Sequence, residues 1–148
     1  MFHPFRALVY DAAKAGNPAD LVSEPYDKIS PELKARYLAA SPYNVVRLIR
    51  GEEGAHDTSW HERARDLWID WRSKGIIKKL ERPGYYVYEQ QFTTPLGEKK
   101  RRTSITGALD LKHQDRVLHH ERTHAGPRGD RRRILEVTGV PFGLVFLL

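Results

Sequence analysis

Residues 119–131 have the highest density of side chains that could do chemistry. They combine three imidazoles, two carboxylates and several guanidinium groups around a Gly-Pro-Arg-Gly sequence at 126–129. Such a turn before a helix can direct backbone N–H groups at an anion, and arginine adds charge and paired donors. The segment is therefore typical of a phosphate site, with cationic donors at Arg122, Arg128 and Arg131. The alternative is a solvated loop in which these arginines pair with Glu121 and Asp130.

The same segment contains the letters of a zinc motif, His120-Glu121-Arg122-Thr123-His124. The chemistry of that motif requires both imidazoles on one face of a helix, with the glutamate as base. The following Gly126-Pro127 and the absence of apolar periodicity argue against a long helix here. We therefore assign no metal site to these histidines.

Two further segments carry candidate residues. In Glu24-Pro25-Tyr26-Asp27, the proline holds Glu24 extended, and the two carboxylates could act as a base or bind Mg²⁺. The alternative is a turn in which Asp27 caps the following backbone. Arg47 lies within an apolar run, where an inward guanidinium needs an acidic or phosphate partner and an outward one needs none.

Two helices with clear start signals would position these residues. Ser30 and Pro31 begin a helix that runs to about Ala40. Ser59 and Glu62 form a capping box for a second helix, which Gly75 ends. The three tryptophans of this second helix, at 60, 68 and 71, fall on one face, which indicates core packing more than a ligand platform.

The remaining segments predict strands and one short helix. Residues 44–50 are rich in β-branched side chains and predict a strand, and residues 85–93 and 100–111 predict a β-hairpin around a turn at 94–97. A short helix is predicted over 130–137. Residues 140–148 are apolar on both faces, as in a strand at the centre of a sheet. The expected fold is α+β, a mixed sheet with a β-hairpin and two to three helices in one domain over 1–148.

Composition limits the classes of function. The 148 residues are 40% hydrophobic and 30% charged, which is typical of a globular domain. The absence of cysteine excludes disulfides, thiolate catalysis and cysteine-ligated metals, and it suits a reducing compartment. The longest apolar run is shorter than the roughly 20 residues that span a bilayer as a helix, and the N-terminus lacks a secretory signal. We therefore expect a cytoplasmic protein without a membrane partner; its oligomeric state is not encoded in any recognisable pattern.

The net charge of +6 favours anionic partners. The basic excess is concentrated in two runs, residues 99–102 and 131–133. It suits a nucleotide, a phosphorylated small molecule or nucleic acid, and it also suits an ordinary solvated surface.

Ordered blocks of residues along the whole chain resemble a known family. They are Pro4-Phe5-Arg6-Ala7, Pro25-Tyr26-Asp27, Ser41-Pro42-Tyr43-Asn44-Val45-Val46-Arg47-Leu48, Tyr86-Val87-Tyr88-Glu89-Gln90, His120-Glu121-Arg122-Thr123, and Gly126-Pro127 with Asp130-Arg131. In this order they are similar to the start of the domain-of-unknown-function-1015 family of bacteria and archaea. The blocks depart from the family at Glu24, where proline is more frequent.

The resemblance implies a ParB/sulfiredoxin-like fold, shared with nucleotide-binding ParB domains and with a free-serine kinase. It implies binding of a nucleotide such as ADP or ATP with Mg²⁺, and phosphoryl transfer to a small molecule. Carried onto this chain, it makes Asp27 and Glu121 the catalytic candidates. The phosphate- or nucleotide-binding candidates are Arg47, His120, Arg122, Arg128, Asp130 and Arg131.

Longer members of the family carry a downstream Asp-Gly-His-His-Arg block, which residues 1–148 do not contain. We therefore expect the chain to be the N-terminal part of a longer architecture, to supply one wall of a site, and to be inactive alone. The competing hypothesis is a nucleic-acid-binding module that uses the basic runs as phosphate contacts. A non-catalytic regulatory or assembly domain is a third hypothesis.

Overall fold

The computed structural model describes residues 2–51, 59–118 and 125–145. The chain divides into two compact units, one formed by Met1–Val9 with Lys79–His120 and the other by Tyr10–Lys78 with Glu121–Leu148. The first unit contains most of the strands and the second most of the helices. The predicted α+β class is confirmed.

The strands form three two-stranded sheets within the described residues. Antiparallel pairs join β1 (Phe2–His3) to β6 (Ala108–Leu109) and β4 (Tyr86–Thr93) to β5 (Lys99–Thr106). The third sheet pairs β2 (Leu8–Tyr10) with β3 (Ile77–Lys79). The β4–β5 pair is the predicted hairpin, and its turn includes Gly97 at a φ of 82°, a conformation that favours glycine.

The helical unit contains five α-helices in its described residues. These are α1 (Ala12–Ala15), α2 (Pro31–Ala40), α3 (Val46–Ile49), α4 (Trp60–Ser73) and α5 (Ala125–Thr138). Short 3₁₀ turns lie at Pro18–Asp20 and Tyr26–Lys28, and a third, Leu111–Arg116, belongs to the strand unit. Among the described residues, no helix has the length and apolar character needed to cross a bilayer.

Local sequence explains where α2 and α4 begin. The Ser30 hydroxyl accepts a hydrogen bond from the Leu33 N–H (3.2 Å), with Pro31 in the first helical turn. At Ser59 the complete capping box is present, because the Ser59 hydroxyl accepts from the Glu62 N–H and the Glu62 carboxylate accepts from the Ser59 N–H. Both predicted helix starts are confirmed.

The core of the helical unit is built on α4. Ala64, Trp68 and Trp71 are buried, as the spacing of the tryptophans predicts. The Trp71 ring meets Tyr43 edge-on, with 5.7 Å between centroids. Helices α3 and α5 both pack against α4, and α5 contributes the buried Ile134.

The strand predicted at residues 44–50 is wrong, because the chain turns there and forms α3. The fully buried Asn44 side chain accepts from the Val46 N–H (2.9 Å) and so begins the helical turn. Its amide nitrogen donates to the carbonyls of Asp20 (2.8 Å) and Val22 (2.9 Å). These tertiary bonds override the β-propensity of the local sequence.

The turn predicted at 126–129 and the short helix predicted over 130–137 are also corrected. One helix, α5, begins at Ala125, includes both segments, and is followed by Gly139 at a φ of 70°. A proline within the first turn is tolerated because the first four N–H groups of a helix have no acceptor in the helix. Pro127 therefore does not interrupt α5.

The apolar C-terminal run does not form the predicted central strand where it is described. Residues 140–145 have no regular secondary structure, and Leu144 and Val145 are 65% and 85% exposed. Pro141 lacks the N–H that a central strand would need. Phe142 instead packs edge-on against Trp68, with 5.2 Å between ring centroids; residues 146–148 lie outside the described chain.

Replacing Asn44 with alanine tests its role in the helical unit. The change removes three hydrogen bonds between the buried Asn44 side chain and the backbone, and we expect the free energy of unfolding to fall by roughly 3 kcal/mol. Urea titration followed by circular dichroism measures this loss. Asn17→Ala is the matched control, because its side chain accepts one bond from the Ala19 N–H (3.2 Å) at an exposed site and should contribute about 1 kcal/mol. Equal losses in the two variants would contradict the proposed role of Asn44.

Candidate functional site

Three segments of the helical unit meet at the carboxylate of Asp130. Asp130 lies in the second turn of α5, Tyr26 in the 3₁₀ turn Tyr26–Lys28, and His61 in the first turn of α4. The Tyr26 hydroxyl donates a hydrogen bond to Asp130 Oδ2, and His61 Nε2 lies 3.2 Å from Asp130 Oδ1. We call Tyr26, His61 and Asp130 the Asp130 cluster.

Arg50, which follows α3, fixes the position of Tyr26. Its Nη1 donates to the Tyr26 carbonyl oxygen at 3.2 Å, and its guanidinium carbon lies 5.2 Å from the centre of the Tyr26 ring. One arginine therefore contacts both the backbone and the aromatic face of this tyrosine, which combines a charge-assisted hydrogen bond with a cation–π interaction.

The His61 ring is held on its other side by Trp60. The two rings stack with 3.8 Å between centroids and 27° between planes. His61 is mostly buried, with a side-chain exposure of 14%, whereas Asp130 retains 31%. The imidazole is therefore fixed between an indole and a carboxylate, and the carboxylate remains partly open to solvent.

The environment of Tyr26 keeps its hydroxyl protonated. Burial, the hydrogen bond to the Asp130 carboxylate and the negative charge of that carboxylate together raise the pKa of Tyr26 from 10.0 to about 12. The positive charges of Arg50 and Arg131 oppose this shift. Tyr26 is thus a hydrogen-bond donor at neutral pH, and Asp130 is held as an acceptor by two side chains.

Arg128 and Arg131 lie near the N-terminal end of α5, and both are exposed. Being three residues apart, they share one face of the helix. Arg131 directly follows Asp130 in α5, and its positive charge lowers the pKa of Tyr26. The N-terminus of a helix carries a partial positive charge, which adds to that of the two guanidinium groups.

Arg47 has a different setting from the other predicted phosphate-binding residues. Its Nη2 donates to the Leu38 carbonyl (2.8 Å) and its Nε to the Ser41 carbonyl (3.5 Å), at the C-terminal end of α2. Arg47 is half-buried, and its hydrogen bonds go to carbonyls at the end of α2, where the helix itself supplies no N–H partner. These hydrogen bonds are to the backbone of residues 38 and 41 and not to the Asp130 cluster.

The other predicted residues fall into two groups. Asp27 is exposed and directly follows Tyr26 in the same 3₁₀ turn. The candidate segment of residues 24–27 therefore reaches the Asp130 cluster through Tyr26. His120, Glu121 and Arg122 lie outside the described residues, as does His124 of the zinc-like motif. Within the described ranges, no group of three histidine or acidic side chains could hold a metal ion.

A family model described as a protein of unknown function, DUF1015, matches residues 2–148. The chain belongs to the DUF1015 family. Neither the curated proteins nor the solved structures contain a match to it. The family resemblance drawn from the ordered blocks is thereby confirmed.

Sequence reasoning missed three residues of the site in this DUF1015 protein. Tyr26 lies between the candidates Glu24 and Asp27 but was given no role of its own, and His61 belonged only to the first turn of a well-capped helix. Arg50 followed a run predicted to be a strand. His61 and Asp130 are 69 positions apart in the chain, so no local spacing relates them.

The pKa of Tyr26 provides a test of the Asp130 cluster. In Asp130→Asn the negative charge is lost, so we expect the pKa of Tyr26 to fall from about 12 while staying above its ordinary value, since burial remains. Tyrosine labelled with ¹³C at Cζ reports this by NMR titration. Tyr10 is the internal control, because burial alone raises its pKa and the substitution should not change it. An unchanged Tyr26 pKa would contradict the described contact.

The same shift has a consequence for the stability of the DUF1015 protein. The pKa of Tyr26 is higher in the folded protein than in the unfolded chain. The contribution of Tyr26 to the free energy of unfolding is therefore complete below about pH 10 and is lost as the pH rises through about 12. In Asp130→Asn the pKa of Tyr26 is lower, so this variant should lose the same stability at a lower pH than the wild-type protein.

Proposed function

We propose that this DUF1015 chain binds the phosphate groups of a nucleotide or a phosphorylated small molecule, as part of a phosphotransferase-type enzyme. The observation that carries the proposal is the pair Arg128 and Arg131. Two exposed guanidinium groups share one face at the N-terminal end of a 14-residue helix. Guanidinium groups bind phosphate oxygens in pairs, and a helix N-terminus favours the same anion.

The Asp130 cluster supports this proposal because it holds that helix end in place. Asp130 lies between Arg128 and Arg131 in sequence, and its carboxylate is bound by side chains from two other elements. A helix end that is fixed before the ligand arrives loses little conformational entropy on binding. The role we propose for Asp130 is therefore to position the arginines, while the arginines contact phosphate.

Phosphoryl transfer depends mainly on positioning and on neutralising charge, which suits the residues near α5. Mg²⁺ reaches such sites with the phosphate oxygens and needs only one or two carboxylates from the protein. The exposed Asp27, beside Tyr26, fits that role for an ADP or ATP complex. Glu121, as a base, and His120, Arg122 and Arg47, as phosphate ligands, remain part of the proposal, together with ParB/sulfiredoxin-like kinship, kinase-like chemistry and a cytoplasmic location.

Nucleotide titration tests the proposal. We expect isothermal titration calorimetry with ADP, ATP and CTP, each with Mg²⁺, to detect saturable binding of at least one of them. The double variant Arg128→Gln/Arg131→Gln should weaken that binding roughly tenfold or more, because it removes charge-assisted bonds to phosphate.

The double variant Arg132→Gln/Arg133→Gln is the matched control. It removes the same charge from the same helix, but both of its arginines pair with Glu136 (2.8 and 3.8 Å). Its nucleotide affinity should change little. If none of the three nucleotides binds, or if the two double variants lose affinity equally, the proposal is wrong.

The β4–β5 hairpin favours a second candidate function, the binding of single-stranded nucleic acid. Side chains alternate between the two faces of a strand, and the register pairs Phe92 with Lys100 and Gln90 with Arg102. Tyr88 and Phe92 are exposed and share the face of Lys100 and Arg102. Basic and aromatic side chains together can contact the phosphates and the bases of a single strand.

The two faces of the hairpin allow a controlled test of this function. Lys100→Gln/Arg102→Gln should weaken the binding of a labelled oligonucleotide and reduce the salt dependence of the binding constant, as measured by fluorescence anisotropy. Lys99→Gln/Arg101→Gln removes two charges from the opposite face and should have a smaller effect. Equal effects would indicate non-specific attraction and would contradict an aromatic binding face.

A further inference from the structure

A cavity of about 490 Å³ lies within the helical unit, where the end of α2, Arg47 of α3 and one side of α4 supply its described walls. Its described walls combine apolar surface from Leu38, Trp60 and Leu67 with charged residues. This volume is within the range of pockets that hold small molecules. None of its lining residues belongs to the Asp130 cluster, so the cavity is a separate feature of the unit.

Arg63, in α4, is the unusual residue of this cavity. Its Nε and Nη2 atoms are buried, and within the described part of the chain neither has a hydrogen-bond partner. A buried polar group without a partner is costly, and such groups are rare in folded proteins. The neighbouring guanidinium of Arg47 differs, because it donates to the carbonyls of Leu38 and Ser41.

The two unpartnered atoms form one edge of the guanidinium group. The N–H bonds of Nε and Nη2 point in the same direction, and this edge binds the two oxygens of a carboxylate or phosphate side by side. A rotation of the guanidinium toward the cavity would present this edge to an entering anion. The unmet bonds of Arg63 would then be satisfied by the ligand.

The remaining walls select among anions. Asp66 and Asp70 line the cavity but are 61% and 43% exposed and pair with Arg65 and Lys74. Carboxylates at the cavity repel a doubly charged phosphate more than a singly charged carboxylate. The apolar walls suit a hydrocarbon group attached to that carboxylate.

From these observations we infer that the cavity is a binding site for a small organic monocarboxylate, held by the Nε–Nη2 edge of Arg63 with its hydrocarbon part against Leu38, Trp60 and Leu67. The site does not depend on the proposed phosphate site at α5. Either one can fail its test without affecting the other.

Titration with simple carboxylates tests the inference. We expect 3-methylbutanoate to shift the Arg63 Nε–H signal in ¹⁵N NMR spectra of the full chain in a saturable manner. Acetate should bind more weakly, because each additional buried methylene strengthens binding by roughly fourfold. Inorganic phosphate at the same concentration should cause a smaller shift.

Variants of α4 provide the matched comparison. Arg63→Lys keeps the positive charge but loses the paired edge, so its affinity for 3-methylbutanoate should fall at least tenfold, as measured by the carboxylate-dependent rise in melting temperature. Arg65→Lys is the control, because Arg65 pairs with Asp66 (2.8 Å) and does not line the cavity. It should keep the wild-type affinity.

Three results would overturn the inference. They are an Arg63 Nε–H signal unmoved by either carboxylate, an Arg63→Lys variant with wild-type affinity, and phosphate binding as tight as that of 3-methylbutanoate. The NMR measurement uses the unmodified chain, so the inference stays testable even if Arg63→Lys does not fold.

Discussion

The helical unit depends on the buried amide of Asn44. One side chain joins the backbone of residues 20–22 to the first turn of α3, and the Val45 N–H adds a bond to the Leu21 carbonyl at 2.9 Å. Leu21 and Val46, on either side of this junction, are both buried. An apolar residue at position 44 could fill the space but could not satisfy the carbonyls of Asp20 and Val22, so the constraint is one of hydrogen bonding more than of volume.

This junction determines where the functional residues lie. The chain leaves it in one direction toward the turn that contains Tyr26 and in the other through α3 to Arg50, and these two residues then contact each other. The ordered blocks that resemble the family therefore have two different physical roles. The block around Asn44 and Arg47 builds the scaffold, whereas those around Tyr26 and Asp130 bring polar groups together at its surface.

Local chemistry accounts for what the sequence could predict. The starts of α2 and α4 follow from side chains that bond to N–H groups within three residues, and the hairpin follows from alternation and a tight turn. The failures at residues 44–50 and at His61 are non-local. Residues 44–50 have the composition of a strand, but bonds to residues more than 20 positions away turn them into α3. The meeting of His61 with Asp130 likewise depends on the packing of α5 against α4.

The stacked rings of Trp60 and His61 make one of the three tryptophans different from the others. Trp68 and Trp71 are enclosed in the core, whereas Trp60 stacks on the imidazole of His61 and also lines the cavity that contains Arg63. Indole emission depends on what contacts the ring, so a molecule that enters the cavity against Trp60 would change the light that Trp60 emits. Trp60 is thus an intrinsic fluorescent probe of the cavity, and it directly precedes His61 of the Asp130 cluster in the chain.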